Sequence, residues 1–167
     1  MDEGPLTPEE IGQLRRFFEV EKIKKKKMLY SQLMDGRDPE GFVNLYTEDC
    51  HCDWGPWGVH EGRDSIRAVS QYTVDKPQFN WMHMTANLWV ELTGDDTATS
   101  RCYLHDICTE PVPNVSPTWR YGVYEEDWVK IDGDWKIKNH RIFFLWPIRE
   151  KEATDAFATK MVPTPLA

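Results

Sequence analysis

The chain has no run approaching the ~20 apolar residues that a membrane-spanning helix requires. Its opening MDEGPLTPEE is acidic and lacks an apolar core, so it does not read as a secretory signal. A cytoplasmic protein that avoids membranes is the expectation. Basic residues are scarce relative to acidic ones, giving a net charge of -8. Phosphate backbones demand a basic footprint, so nucleic acid is not an expected partner. The one basic cluster, KIKKKK at 22–27, lies in a helical stretch whose apolar residues sit elsewhere, and it reads as a solvated face. Walker loops, the dinucleotide glycine fingerprint and the G-x-S-x-G elbow are all missing. Cysteines number only four, Cys50, Cys52, Cys102 and Cys108, and are expected to be reduced. Cys50-His51-Cys52 with His60 hints at zinc, but the spacing fits no common zinc pattern. No metal and no other cofactor is therefore expected. Repeats and low-complexity linkers are missing too, so residues 1–167 read as one domain, long enough to bury a core.

Tryptophan, by contrast, is abundant, with eight residues. Such a surplus fills a core, and it also suits a pocket for a flat apolar ligand. Trp54, Trp57, Trp81, Trp89 and Trp146 are the candidates for shaping one.

The first third of the chain reads as helix. Thr7-Pro8-Glu9-Glu10 carries the start signals: a threonine cap, proline at the first position and glutamate at the third. Ile11, Leu14, Phe17, Phe18, Ile23, Met28, Leu29 and Leu33 supply apolar positions, and Gly36 a C-terminal cap. Asp38-Pro39-Glu40 opens a short second helix with Phe42, Val43, Leu45 and Tyr46 inward. A third helix spans about 64–72. The remainder reads as strands. Residues 79–92 alternate, with Met82, Met84, Ala86, Leu88, Val90 and Leu92 on one face. Phe79, Trp81, His83, Thr85, Asn87, Trp89 and Glu91 occupy the other. A turn at Gly94-Asp95-Asp96 leads to a strand over 97–109. VKIDGDWKI predicts a hairpin whose three-residue loop, Asp132-Gly133-Asp134, pairs Ile131 with Trp135 and Val129 with Ile137. That register sets Asp127 opposite Asn139 and Glu125 opposite Arg141. Helices followed by antiparallel hairpins imply an α+β fold with helices on one face of a curved sheet.

One residue breaks a local rule. Asp35 lies in the last helical turn, where the backbone already carries partial negative charge and a cation is the stabilising choice. A residue placed against its local field is a functional candidate. An exposed aspartate in a DGRD turn has the same appearance in sequence.

The order of elements, together with DGRDPEGFVNLYTEDC, EGRDSI, MHMTAN and the DGDWKI hairpin, resembles the nuclear transport factor 2-like superfamily. Within it the chain is similar to the SnoaL-like lyases and cyclases, over roughly residues 15–147, leaving 148–167 as a tail. These include polyketide cyclases, scytalone dehydratase, hexachlorocyclohexane dehydrochlorinase and, nearest in pattern, the bile acid 7α-dehydratases. The resemblance implies a cone-shaped antiparallel or mixed sheet closed by three helices around an apolar pocket. It also implies a catalytic set of Tyr30, Asp35, His83 and Asp106. Asp35 would then point into the cavity and orient His83, whose neutral imidazole can take a proton near pH 7.

Asp106 depends on strand register. A two-residue turn at Gly94-Asp95 sets His83 opposite Asp106. A three-residue loop sets His83 opposite Ile107 and gives the tidier apolar pattern, unless a bulge intervenes. Asn139 and Arg141 are further substrate-binding candidates, His51 and His105 further polar ones; Arg141 can equally pair with Glu125. PVPNVSP at 111–117 is a proline-stiffened loop, either rimming the pocket, meeting another subunit, or inert.

The expected activity is a cofactor-independent lyase, dehydrating a hydrophobic, hydroxylated aromatic or polycyclic, steroid-like molecule. Related alternatives are formaldehyde release from an aryl diol, isomerisation or cyclisation. The alternative class is a non-catalytic binding module or an oxygenase β-subunit-like protein. The resemblance also implies a homo-oligomer, trimer before dimer.

Overall fold

A computed structural model describes residues 4–75, 80–109 and 118–145. Phe79, the 111–117 loop, Trp146 and the 148–167 tail fall outside the described residues. The elements run α1 (Pro8–Asp35), α2 (Pro39–Val43), β1 (Tyr46–Asp53), a 3-10 turn (Gly55–Trp57) and β2 (Val59–Glu61). Then follow α3 (Gly62–Asp75), β3 (Asn80–Leu92), β4 (Thr97–Thr109), β5 (Thr118–Ile131) and β6 (Asp134–Phe144). The six strands form one mixed sheet in the order β2-β1-β6-β5-β4-β3. Among the described residues, only β1 and β6 pair in parallel. Helical Ile23, Tyr30, Phe42 and Ile66 share a core with sheet residues Leu104, Tyr124, Trp128, Trp135 and Ile137, so the helices close one face of the sheet. This is the expected α+β architecture of three helices on a curved sheet. No helix among the described residues is long and apolar enough to cross a membrane.

The start of α1 is built as its residues predict. Thr7 Oγ1 accepts from the Glu10 N–H at 3.2 Å, and Glu10 returns a carboxylate to the Thr7 N–H at 2.7 Å. Its end differs: Gly36 stays right-handed at φ -77, and Arg37 makes the left-handed turn at φ 57. A Cβ on Gly36 would sit 2.8 Å from the Gln32 carbonyl oxygen, so close approach is what requires glycine there.

The inner stripe of α1 also departs from expectation. Ile11, Leu14, Phe17, Phe18, Met28 and Leu29 are exposed. The buried positions are Ile23, Lys27, Tyr30 and Ser31, spaced by four, three and one. Lys27, expected on a solvated face, is fully buried and ion-paired with Glu126 of β5. Its ammonium also lies 4.2 Å and 3.7 Å from the ring centres of Tyr30 and Tyr124. Glu126 accepts in addition from the Ser100 hydroxyl, which accepts from Trp128 Nε1 at 2.8 Å.

β1 has no counterpart in the sequence expectations. Tyr46, expected on α2, opens this strand, and alternation buries Cys50 and Cys52 while His51 faces outward to Glu61. The Cys-His-Cys triplet therefore cannot converge on one point.

The β5–β6 hairpin has a two-residue turn in place of the expected three. Asp132 (φ 51) and Gly133 (φ 80) form it, and Ile131 pairs with Asp134. Two consecutive left-handed residues match the twist of the strands, which Asp-Gly readily supplies. Trp128 rather than Val129 then faces Ile137, and Trp128, Trp135 and Ile137 are buried. A register shift between Asp127 and Trp128 restores the Asp127–Asn139 and Glu125–Arg141 pairs.

Two consequences for stability can be measured. Glu19 accepts from Lys22 at 2.8 Å and Trp135 Nε1 at 2.7 Å and pairs with Lys130 at 3.0 Å. The Lys22 hydrogen bond first, with Lys130 and Trp135 helping against partial burial, holds its carboxyl down at about 2 against an ordinary 4.5. A depressed folded-state value means stability present above about pH 4.5 and lost as pH falls through about 2. Thermal unfolding of Glu19→Gln should therefore depend less on pH than wild type across that window. Lys27→Met should cost roughly 3–5 kcal/mol by denaturant titration, because it strands a buried Glu126. The double change Lys27→Met, Glu126→Leu should recover most of that loss.

Candidate active site

The site begins at the C-terminal end of α1, which packs on β3. Helix ends leave carbonyls without intrahelical partners. The Trp81 indole N–H reaches one of them, Met34 O, at 3.4 Å. Asp35 solves its unfavourable position through β3. Its Oδ2 accepts the His83 backbone N–H at 3.0 Å, and its Oδ1 pairs with His83 Nδ1 at 2.6 Å. Both oxygens thus serve one residue. A carboxylate can only accept, so Nδ1 carries the ring proton and Nε2 is left as the basic atom.

A bulge decides which residues accompany His83. From Asn80 to Ala86, β3 pairs with β4 in the register that sets His83 opposite Asp106; from Trp89 to Leu92 the pairing shifts by one. The break falls at Asn87, whose φ of 53 marks the extra residue. Both registers considered from the sequence occur, one on each side of the bulge. Before it, Trp81 and His83 face the interior. After it, Leu88, Val90 and Leu92 do, packing against the core. Asp106 is in turn paired with Arg120 of β5. His83, Asp106 and Arg120 thus form a row across three adjacent strands on the helix-covered face. Asp106 Oδ2 lies 2.5 Å from Arg120 Nη2 and 3.9 Å from His83 Nε2. The Asp106 side chain is 4% exposed and that of His83 11%.

This row ends in a cleft with about 630 Å³ of empty space, its open mouth included. Its walls are mainly apolar: Met34, Trp54, Trp57, Val69, Trp81, Leu104, Ile142 and Phe144. Tyr30 and Tyr124 contribute phenol rings, 5.6 Å apart. Burial pushes both phenols well above their ordinary titration range, so each can donate a hydrogen bond but does not ionise near neutrality. Below them His140 Nδ1 accepts from Trp54 Nε1 at 3.2 Å and meets the Tyr46 hydroxyl at 3.0 Å. Burial, with Lys27 nearby, pushes His140 well below the ordinary histidine range.

The structure thus brings Tyr30, Asp35, His83 and Asp106 together with Trp54, Trp57 and Trp81. It does not bring in Trp89, which is 61% exposed because the bulge turns it to the outer face of the sheet. Asn139 and Arg141 also point outward. Asn139 donates to Asp127 at 2.8 Å, and Arg141 stands opposite Glu125 beside a separate polar hollow. The shift at Asp127 keeps even-numbered His140 and Ile142 inward and these two odd residues out. His105 stacks on Tyr121 at 4.6 Å, away from the cleft lining. Trp146 lies outside the described residues. Arg120 and His140 were not expected. Only the parity of β5 and β6 picks them out: Arg120 shares its face with Tyr124, Glu126 and Trp128, and His140 with Ile142 and Phe144.

The SnoaL-like domain model matches residues 16–141. No curated protein matches the chain. Among solved structures, a candidate scytalone dehydratase from Novosphingobium aromaticivorans DSM 12444 is similar at a TM-score of 0.71 and 24% identity, covering 77% of this chain and 85% of that one. An NTF2-like protein with a cystatin-like fold, also from Novosphingobium aromaticivorans, gives 0.74 and 18%, covering 95% and 99%. The hexachlorocyclohexane dehydrochlorinase LinA-type3 of Novosphingobium barchaimii LL02 gives 0.71 and 16%, covering 80% and 91%. Identities this low speak to a shared fold alone. The family match is of another kind, because it spans most of the sequence, from within α1 to within β6: the chain belongs to the SnoaL-like domain family.

Proposed function

We propose that the protein is a cofactor-independent lyase that eliminates water from a hydrophobic, hydroxylated aromatic or polycyclic molecule. The observation that carries this reading is the Asp35–His83 pair, with Nδ1 held by a carboxylate and Nε2 left basic beside an apolar cleft. Among the described residues that line the cleft there is no serine or cysteine beside the pair, which suits proton transfer rather than a covalent intermediate. Two fold relatives have names that denote eliminations, a dehydratase and a dehydrochlorinase.

In the proposed reaction His83 Nε2 takes a proton from carbon beside a carbonyl. The C–H electron pair becomes the new C=C bond, and the C–O bond to the hydroxyl breaks. The departing oxygen recovers the proton from the imidazolium and leaves as water. Asp35 supports the positive charge that His83 carries in between. Tyr30 can donate a hydrogen bond within the cleft. The tryptophans and Phe144 would hold a flat ring system.

Mass spectrometry tests this reading, with the purified protein incubated with β-hydroxy-ketosteroids, bile-acid-like enones and diaryl diols. One class should lose water. His83→Ala should slow that loss by roughly 10²–10⁴-fold. Asp35→Asn should slow it by about 10²-fold or more, since an amide no longer selects the ring tautomer. Release of formaldehyde from a diol would retain the pair and change the reaction. If every compound survives and none shifts the melting temperature, the lyase reading is wrong and a non-catalytic binding module takes its place.

A further inference from the structure

The buried polar end of the cleft holds two atoms without partners. Asp106 Oδ1 and Arg120 Nε are both shielded from solvent, and neither has a hydrogen-bond partner among the described residues. Such groups are rare, because an unmatched buried donor or acceptor costs free energy that water would have supplied. The two residues are cross-strand partners, and both line the cleft. Their outer atoms are already engaged with each other, Nη2 to Oδ2. The guanidinium is held on a further side, its Cζ 4.9 Å from the centre of the Trp57 ring. Arg120 is only 9% exposed. It is therefore a fixed donor, held in place before any ligand arrives.

Charge narrows what this end can receive. With His83 neutral, Asp35, Asp106 and Arg120 leave one excess negative charge among apolar walls. A carboxylate or phosphate brought here would meet that excess in a poorly screened setting. A neutral ligand would not. An unmatched acceptor and an unmatched donor on neighbouring residues suit a ligand that carries both a hydroxyl and a carbonyl.

We propose that Arg120 is the substrate-binding residue that holds the carbonyl oxygen, and that the cleft selects neutral hydroxy ketones. The Arg120 N–H donates to the carbonyl, while the ligand's hydroxyl donates to Asp106 Oδ1. This rests on the lyase reading for its purpose, since a guanidinium on the carbonyl would stabilise the enolate formed when His83 takes the neighbouring proton. It also divides the labour: Tyr30 does not hold the carbonyl.

Binding of small bicyclic probes tests the inference apart from turnover. Tetralin carries no oxygen, α-tetralone a carbonyl, hydroxyindanone a β-hydroxy ketone and naphthoate a carboxylate. Dissociation constants come from quenching of tryptophan fluorescence. Wild type should bind α-tetralone roughly tenfold or more tightly than tetralin, as a hydrogen bond to a charged group implies. Hydroxyindanone should bind at least as well as α-tetralone, and naphthoate more weakly. Arg120→Gln should erase the ketone's advantage and leave tetralin within about twofold. Because that variant strands Asp106, the apolar pair Arg120→Met, Asp106→Leu is measured beside it, and either folded variant should lose the preference. A wild type that prefers naphthoate, or that does not distinguish α-tetralone from tetralin, overturns the proposal. So does a ketone preference that survives in the variants. Exchange of the α-protons of α-tetralone in D2O, followed by NMR, reads His83 independently. Exchange with an Arg120-independent preference sinks this inference and spares the lyase. An Arg120-dependent preference without exchange or turnover does the reverse.

Discussion

The site depends on a single carboxylate placed where the helix field opposes it. Asp35 accepts both the backbone N–H and the ring N–H of His83. Those two bonds fasten the end of α1 to β3, fix the imidazole tautomer and leave Nε2 as the basic atom. A lysine or arginine at this helix end would suit the backbone dipole better. It would offer His83 no acceptor. The local electrostatic cost is the structural signature of the function proposed.

A second constraint is parity. Side chains alternate across a strand, so one inserted residue reverses every position beyond it. β3 carries such a break at Asn87, and β6 another opposite Asp127 and Trp128. The first lets one strand present Trp81 and His83 to the cleft and Leu88, Val90 and Leu92 to the core. The second sends Asn139 and Arg141 outward while His140 stays inside. The bulges thus join the polar end of the cleft to an apolar core within one continuous sheet.

Beneath the cleft lies a second buried charge pair, Lys27 with Glu126, bridged to Tyr30 and Tyr124 through the lysine's cation. Buried pairs of this kind contribute little net stability and are costly to break. Their geometric effect is clearer. The Lys27 ammonium packs under the phenol rings and the Glu126 carboxylate ties β5 to Ser100 of β4, so the floor has little freedom to relax. The cleft is consequently a preformed hollow between a charged base and a tryptophan-lined mouth.

Much of this was legible in the chain alone. The capping box at Thr7, the helix starting at Pro39, the long alternating strand and the Asp-Gly turn are written in local chemistry, and local chemistry survives folding. Family resemblance pointed to Asp35 in DGRD, to His83 in MHM and to Asp106. What sequence could not decide was anything requiring knowledge of a distant partner. Lys27 sits in a basic run that looks solvated until Glu126, 99 residues later, is placed beside it. β1 lacks a clean apolar alternation in sequence, and its pairing with β6 and β2 is what makes it a strand. Trp89 belongs by strict alternation with Trp81 and His83, and a single left-handed residue at Asn87 removes it. Arg120 has no motif at all. Sequence determined the elements, because propensity and capping act within a few residues. Tertiary structure decided the site's membership, because register and burial are set by neighbours that the chain brings together only when folded.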